Sequence, residues 1–410
     1  MFFDNLHKRK TYPLLPFSQL VYDVTRWMPS LYRFPCTFVI RGGAGQEAKV
    51  RDALQTALSV HGVFRMRTDR LGRQYKAENR DILHGKYHDF RFETRGEDLY
   101  LYCSLNRILG DGKSMMILME DVSRAYKGEL IMNDHYWDYL DLAEERRQDK
   151  HYQNSKLWLE QQFADETIPV RPPVDRHCLF TLLPPKAGVQ TLDLTAYKKG
   201  IMLLSEREHL SLDGLFSLCT ALAIADCCGT DTAALTWAYE GRETTEEQRI
   251  VGSLHRDVPF VISRKSKVKS RKSKVESQKS KEDLIRQARN QIRSGIAHSD
   301  YPYTLTKPHT DRWNYAVNVI RSVAVEDSYL SQIKTVELLP QKTQRWAYAL
   351  LDVEYRDTDD SLALTFRYSA THYKHESISR FAELVKQNVE WLINNSQNID
   401  MPIFRNIEIK

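Results

Sequence analysis

The chain is expected to fold as an α/β (α+β) protein with mixed sheets. Three observations lead there. Short runs rich in β-branched and aromatic residues recur along its length, and amphipathic helical patterns lie between them. The composition is that of a globular protein, with 42% hydrophobic and 28% charged residues. Its 410 residues suffice for two cores, because single cores seldom grow beyond roughly 250–300 residues.

The elements follow in order. A helix fits Phe17–Trp27, a strand Cys36–Arg41, a helix Glu47–Val60 and a strand Val63–Arg67. The run Leu99–Leu105 reads as a strand, and after it Met115, Leu118, Met119, Val122 and Tyr126 recur at i, i+3, i+4, i+7 and i+11, one face of a helix. Another helix fits Lys150–Phe163. A proline-bearing stretch with Pro169, Pro172, Pro173, Pro184 and Pro185 is the linker candidate, dividing the chain into 1–168, a linker 169–186 and 187–410. Beyond it a helix over Ser211–Cys227 opens with Ser211 and Asp213, and one over Lys281–Ala297 with Ser280 and Asp283. Strands fit Ala233–Tyr239, Val258–Ile262, Trp313–Ile320, Tyr348–Tyr355 and Leu362–Tyr368, and the spacing of Ile378, Phe381, Val385, Val389 and Leu392 ends the chain on a helix.

The formal charge is +5, but residues 263–281 alone hold nine Lys and Arg against one acid, so the remainder is near −3. This segment is a duplicated heptad, Arg264–Ser270 echoed by Arg271–Ser277. With Val268 and Val275 as its only apolar residues it cannot bury a face, so a mobile loop or a frayed, solvated helix is expected, with contact to nucleic acid or a partner protein as the alternative. The first ten residues lack the apolar stretch of a secretory signal, and the longest apolar run, Leu215–Cys228, is broken by Ser217, Thr220 and Asp226. A cytoplasmic chain without a membrane span is expected. Cys36, Cys103, Cys178, Cys219, Cys227 and Cys228 lack metal-ligand spacing and read as reduced thiols.

The segment that carries chemistry joins the strand Leu99–Leu105 to the helix from Met115. Between them stands Asn106-Arg107-Ile108-Leu109-Gly110-Asp111-Gly112, a tight turn at a sheet edge from which side chains can project. It resembles the His-His-x-x-x-Asp-Gly signature of the condensation-domain superfamily, which includes the condensation, epimerization and cyclization domains of nonribosomal peptide synthetases and stand-alone acyltransferases. Weaker motifs of that family follow in order. Tyr12–Gln19 resembles its opening Leu-Ser-x-x-Gln, Val60–Arg67 its Arg-His-Pro-x-Leu-Arg, and Ala125–Gly128 the end of its active-site helix; Trp158 stands for its Tyr-Trp before the linker. Gly241-Arg242 with Val251-Gly252 resembles its Gly-Arg…Ile-Gly, His255–Phe260 its Asn-Thr-x-Pro, and His298–Tyr303 its His-x-x-Tyr-Pro-Phe.

The resemblance implies the chloramphenicol acetyltransferase-like fold used twice, as two lobes in a V with a tunnel between them. It implies a monomer acting on an acyl group held as a thioester on the phosphopantetheine of an acyl or peptidyl carrier protein, with a small-molecule acceptor, no resident cofactor or metal and no nucleic-acid partner. In the family the second motif His deprotonates the acceptor or stabilises the tetrahedral intermediate. Here that position is Arg107, which stays protonated and is no base at neutral pH, but can donate hydrogen bonds to an oxyanion. Asp111 is implied to pair with an arginine, Arg242 first and Arg256 second. Gly112 would let the backbone enter the helix without a Cβ clash, and Asn106 completes the motif positions. His255 is a secondary candidate for the missing base. His61 and His298 are expected to pack or hydrogen-bond, and His372 and His375 to cap the last helix. No Ser/His/Asp order or metal cluster presents itself, and Gly110-x-Gly112 lacks phosphate-loop spacing.

Two functional readings follow. One is an atypical stand-alone condensation enzyme forming an amide or ester. The other is a catalytically inactive domain that recruits carrier or tailoring proteins, since the X-domains of glycopeptide synthetases also carry Arg at the second His. A chloramphenicol-type acetyl-CoA acyltransferase is the weaker third, because those enzymes too depend on the missing His.

Overall fold

In a computed structural model the described residues are 10–25, 32–78, 81–177, 185–269, 274–302, 316–322, 330, 332–333, 336–339, 347 and 349–394. The chain forms two compact units. One comprises Met1–Asp149, Glu240–Arg256 and Val323–Thr343, the other Lys150–Tyr239, Asp257–Ser322 and Gln344–Lys410. No single cut at a linker makes this division. The helix expected to close the first lobe belongs to the second unit, and two later segments belong to the first. Nor are the described residues of the proline-bearing stretch loose: Ala234 N–H donates to the Pro169 carbonyl and Val317 N–H to that of Val170, both at 2.9 Å. Proline lacks a donor but keeps its carbonyl, so such a stretch can still line a sheet.

The first unit contains α1 (Pro16–Thr25), β1 (Arg33–Ile40), α2 (Glu47–Val60), β2 (Met66–Thr68), β3 (Gln74–Lys76), β4 (His88–Arg95), β5 (Asp98–Asn106), α3 (Gly112–Tyr126) and α4 (Tyr136–Arg146). The strand expected from Val63 begins only at Met66, because Gly62–Arg65 coil into a 3₁₀ turn. β4 and β5 form a hairpin in which Arg95 pairs with Asp98 and Gly96 sits at φ 62°, the left-handed position such a two-residue turn demands. β1 runs antiparallel to β5 from Arg33 opposite Asn106 to Ile40 opposite Leu99, and α2 packs beside α3.

The second unit holds α5 (Lys150–Phe163), β6 (Ala187–Asp193), α6 (Lys198–Glu208), α7 (Leu212–Cys228), β7 (Thr232–Tyr239), β8 (Arg256–Ser263), β9 (Lys265–Lys269), β10 (Lys274–Gln278), α8 (Lys281–Ala297) and β11 (Asn318–Arg321). After β12 (Val336–Leu338), which adds to β1 in the first unit to give the order β12-β1-β5-β4, come β13 (Leu351–Thr358), β14 (Ser361–Ser369) and α9 (His375–Ile393). The second unit's sheet runs β6-β14-β13-β11-β7-β8, with β11 parallel to both neighbours and β13, β14 and β6 antiparallel. Residues 313–315 of the expected strand lie outside the described residues, as do Cys178 and Tyr303.

α7 is buried around its whole circumference from Gly214 to Ala225, as a helix apolar on every face must be. Its start is capped by Ser211 Oγ, which accepts from Gly214 N–H, and its end by Gly229 at φ 64°. Ser280 and Asp283 close a capping box at α8. At α9 the expected histidine cap is replaced. Lys374 stands at the cap, Asp175 accepts from Lys374 N–H and the Ser377 hydroxyl, both at 2.7 Å, and His372 and His375 bond instead to Ser369 Oγ and Tyr368 OH.

The basic segment also departs from expectation. β9 and β10 pair as an antiparallel ribbon with Val268 opposite Val275. β9 follows β8 directly, and the base of the pair is fixed: Arg264 N–H donates to Asp231 O and Lys279 N–H to Arg264 O. Among the described residues no single helix is long and apolar enough to cross a membrane, and Cys36, Cys103, Cys219, Cys227 and Cys228 are free thiols.

Candidate functional site

β5 ends at Asn106, and the chain turns at once. Leu109 N–H donates to Asn106 O at 2.9 Å, and the Asn106 side-chain oxygen accepts from Ile108 N–H at 2.9 Å, an Asx turn laid over a β-turn. Ser18, from α1, donates to Ile108 O at 3.0 Å and fixes the turn from the other side. Asn106 is therefore spent on shaping the loop. The crowded glycine is Gly110, where an added Cβ would lie 2.7 Å from Ser114 Cβ. Gly112 is the first residue of α3 and does not have a positive φ.

Asp111 caps α3. Its Oδ1 accepts from Ser114 N–H at 2.9 Å, while Ser114 Oγ accepts from Asp111 N–H at 3.2 Å. Arg242 grips the same carboxylate in bidentate fashion, Nη1 to Oδ2 at 2.9 Å and Nη2 to Oδ1 at 3.0 Å, with its side chain wholly enclosed. The remaining guanidinium hydrogens go to the carbonyls of Glu240, Ile250 and Gly252 and to Ser114 Oγ. Leu254 N–H adds a further donor to Asp111 Oδ2 at 3.2 Å. Burial would push the Asp111 carboxyl up, but the charge of Arg242 and its hydrogen bonds outweigh this and hold it below the usual carboxylate range. It stays ionised, and nothing in this cluster is disposed to accept a proton at neutral pH.

The second expected partner, Arg256, reaches Glu243 and Tyr139 OH, each at 3.3 Å. His255, next to Leu254, packs its ring tilted against Phe17 with centroids 4.1 Å apart. Arg107 is half-buried, its backbone N–H bonded to Tyr32 O at 2.8 Å and its guanidinium carbon 4.4 Å from the centre of the Phe34 ring. At the second position of the motif there is thus a fixed cation and no titratable base.

A second polar cluster escaped the sequence reading. His61, 1% exposed, stands between Asp134, bonded through Nδ1 at 3.2 Å, and Asp121, whose Oδ2 faces Nε2 at 3.2 Å. Arg249 closes on both Asp121 oxygens at 2.9 and 3.0 Å, and Asp134 also takes Gly62 N–H and Val251 N–H. Burial disfavours the imidazolium, yet the two carboxylates prevail and raise its pKa. Because Arg249 and Val251 belong to the segment carrying Arg242, this cluster fixes the strand of carbonyls on which Arg242 rests. His298, by contrast, bonds Ser155 Oγ at 3.2 Å and stacks on Trp158. Among the described residues no group of three or more His, Cys, Asp or Glu is placed to hold a metal.

Comparison with known proteins identifies the family. Residues 90–400 match the family model described as Condensation domain. Surfactin synthase subunit 1 of Bacillus subtilis (strain 168) is 22% identical over 307 residues, which are 70% of this chain and 8% of that much longer protein. Among solved structures, the X-domain from teicoplanin biosynthesis aligns with TM-score 0.73 at 14% identity, over 93% of this chain and 95% of that one. The epimerization domain from the third module of tyrocidine synthetase B gives 0.71 at 16%, over 94% and 97%. The first condensation domain of the calcium-dependent antibiotic synthetase gives 0.69 at 14%, over 94% and 97%. The chain belongs to the condensation-domain family.

Proposed function

We propose that the chain is a condensation-type acyltransferase that moves an acyl or aminoacyl group from the phosphopantetheine thioester of a carrier protein to a small-molecule amine, with Arg107 stabilising the oxyanion in place of a histidine. The observation that carries this reading is an intact scaffold around a changed side chain. Asp111, Arg242 and Ser114 hold the turn, and the position of the second histidine bears a permanently charged donor fixed against Phe34. The amine nitrogen attacks the thioester carbon, and the resulting alkoxide is met by the guanidinium. Collapse then expels the pantetheine thiolate, and the proton lost by the nitrogen ends on that sulfur through solvent. Arginine takes no proton, so the acceptor must arrive as the free amine, and the rate is expected to rise with pH along the titration of that amine.

The test is product formation from a loaded carrier protein. The wild type should form the amide, and Arg107→Ala should lose about 10²–10³ in kcat, the effect of one oxyanion donor elsewhere. A recruitment role is the second reading, favoured by the absence of a base and by likeness of fold to the teicoplanin X-domain, a protein also described in complex with OxyB. No product from the wild type with any cognate donor, together with micromolar binding of a tailoring oxygenase in calorimetry, would transfer the assignment to that reading.

A further inference from the structure

His61 stands just past the end of α2, enclosed, with a carboxylate at each ring nitrogen: Asp134 Oδ2 is 3.2 Å from Nδ1, and Asp121 Oδ2 is 3.2 Å from Nε2. Neither neutral tautomer suits this arrangement. A neutral imidazole has one N–H and one lone pair, so either tautomer leaves a lone pair beside a carboxylate oxygen; only the imidazolium presents an N–H to each. Nε2 has no aligned hydrogen-bond partner among the described residues, so its contact with Asp121 is one of charge. The carboxylates are already committed as acceptors, Asp121 to Arg249 at both oxygens and Asp134 to Gly62 N–H at 2.8 Å and Val251 N–H at 3.3 Å. With His61 charged, Asp121, Asp134, the imidazolium and Arg249 sum to zero. The other charged groups nearby are Arg124 of α3, 3.6 Å from Asp121 Oδ1 at the half-exposed rim, and Arg65 on the turn after His61, which is directed to Ser59 O.

We propose that His61 is a positioning residue for the motif turn, a buried imidazolium whose charge holds residues 249–252 against α3. The path to the turn is short. Asp121 carries Arg249 and Asp134 carries Val251 N–H, while Ile250 O and Gly252 O accept from Arg242, the residue that grips Asp111. Gly252 N–H also donates to Ser114 Oγ at 3.0 Å, and Gly252 O accepts from that hydroxyl at 2.8 Å. Loss of the proton strands one negative charge in an enclosed place, and the segment relieves it by lifting from α3. The sign follows from the surroundings. Burial opposes the charge, but Asp121 and Asp134 outweigh it and raise the pKa, so the contribution is complete below the ordinary histidine value and is lost as pH rises through the folded one. This role holds whether the turn serves transfer or recruitment.

The experiment uses the full chain, labelled at histidine and followed by ring-nitrogen NMR, with His61 identified by the signals that His61→Gln removes. Both ring nitrogens of His61 should remain protonated at pH values where ordinary histidines have lost a proton. As the pH rises further, amide hydrogen exchange at Gly252 and Leu254, corrected for the intrinsic rate, should accelerate in step with the loss of those signals. His61→Gln should exchange at these amides at least about tenfold faster than wild type below that titration, and without its pH step. Adding Asp134→Asn restores the balance of charge and should slow exchange again. A role in packing alone predicts the reverse, the second change adding to the first. Titration of His61 in the ordinary histidine range overturns the proposal, as does exchange at Gly252 and Leu254 that ignores it, or a double variant no better protected than the single one. If His61→Gln does not fold, His61 is identified instead through its loss in the double variant, and the wild-type titration and exchange decide.

Discussion

Removing the Arg242 guanidinium is the sharpest physical test of the site. Arg242→Met keeps much of the side-chain volume but leaves Asp111 enclosed, its carboxylate only 10% exposed, with the donors Ser114 N–H, Ser114 Oγ–H and Leu254 N–H remaining. Breaking a buried ion pair from one side costs about 3–5 kcal/mol, and the surviving donors place this case near 3 kcal/mol. Urea unfolding followed by tryptophan fluorescence should register that loss. In a cycle with Asp111→Asn the double variant should recover about 2 kcal/mol relative to the sum of the single changes, because no uncompensated charge remains. The acid limb should change as well. A carboxyl held below its ordinary range contributes stability that is present above the unfolded pKa and lost as pH falls through the folded one, so Arg242→Met should flatten that loss. A cost below about 1 kcal/mol, or single changes that simply add, would refute the view that this pair locks the turn to residues 240–256.

Two further outcomes are expected. His88 is buried against the Ile82 carbonyl and, chiefly through burial, titrates at about 4; its contribution is complete above the ordinary histidine pKa of 6.5 and is lost as pH falls toward 4. The loss approaches about 3 kcal/mol, and a His88→Gln chain whose stability keeps the same slope between those values would contradict it. Gly241 sits at φ 70°, where an added Cβ would lie only 2.1 Å from the Leu254 carbonyl oxygen. Gly241→Ala should therefore cost about 2 kcal/mol or more, read by thermal unfolding.

Much of the fold was legible because burial writes a period into sequence. The helices α2, α3, α8 and α9 bury their apolar faces, and α8 carries its cap in Ser280-x-x-Asp283. What escaped notice lacked such a period. α4 and α6 bury few residues each, and β4 alternates only at its start. The ribbon defeated pattern reading for another reason: strands made of Lys and Ser are set by register and an anchored base, which composition does not record. At the site, Asp111-x-x-Ser114 was a readable capping pattern, whereas no local signal could join Arg249 and His61 through Asp121, since that contact depends on a segment returning from 128 residues further along the chain.

The substitution at Arg107 shows that the motif contains two physically separable parts. Asp111 and Gly110 act through packing, capping and a buried ion pair, all of which tolerate no loss of charge or added volume. At position 107 the backbone N–H bonds Tyr32 O and the guanidinium lies over the Phe34 ring. A side chain there can change without disturbing the turn, because Asn106, Ser18 and Ser114 supply the hydrogen bonds that shape it. It follows that Arg107→His should fold as well as the wild type. If transfer is limited by proton removal, that single change should raise turnover below the pKa of the acceptor amine, where free amine is scarce and a base is worth most. If Arg107 serves as the oxyanion donor, the same change should lower turnover at every pH, most at alkaline pH where the imidazole is neutral. The pH profile of this one variant therefore distinguishes a site that has lost its base from one that works without it.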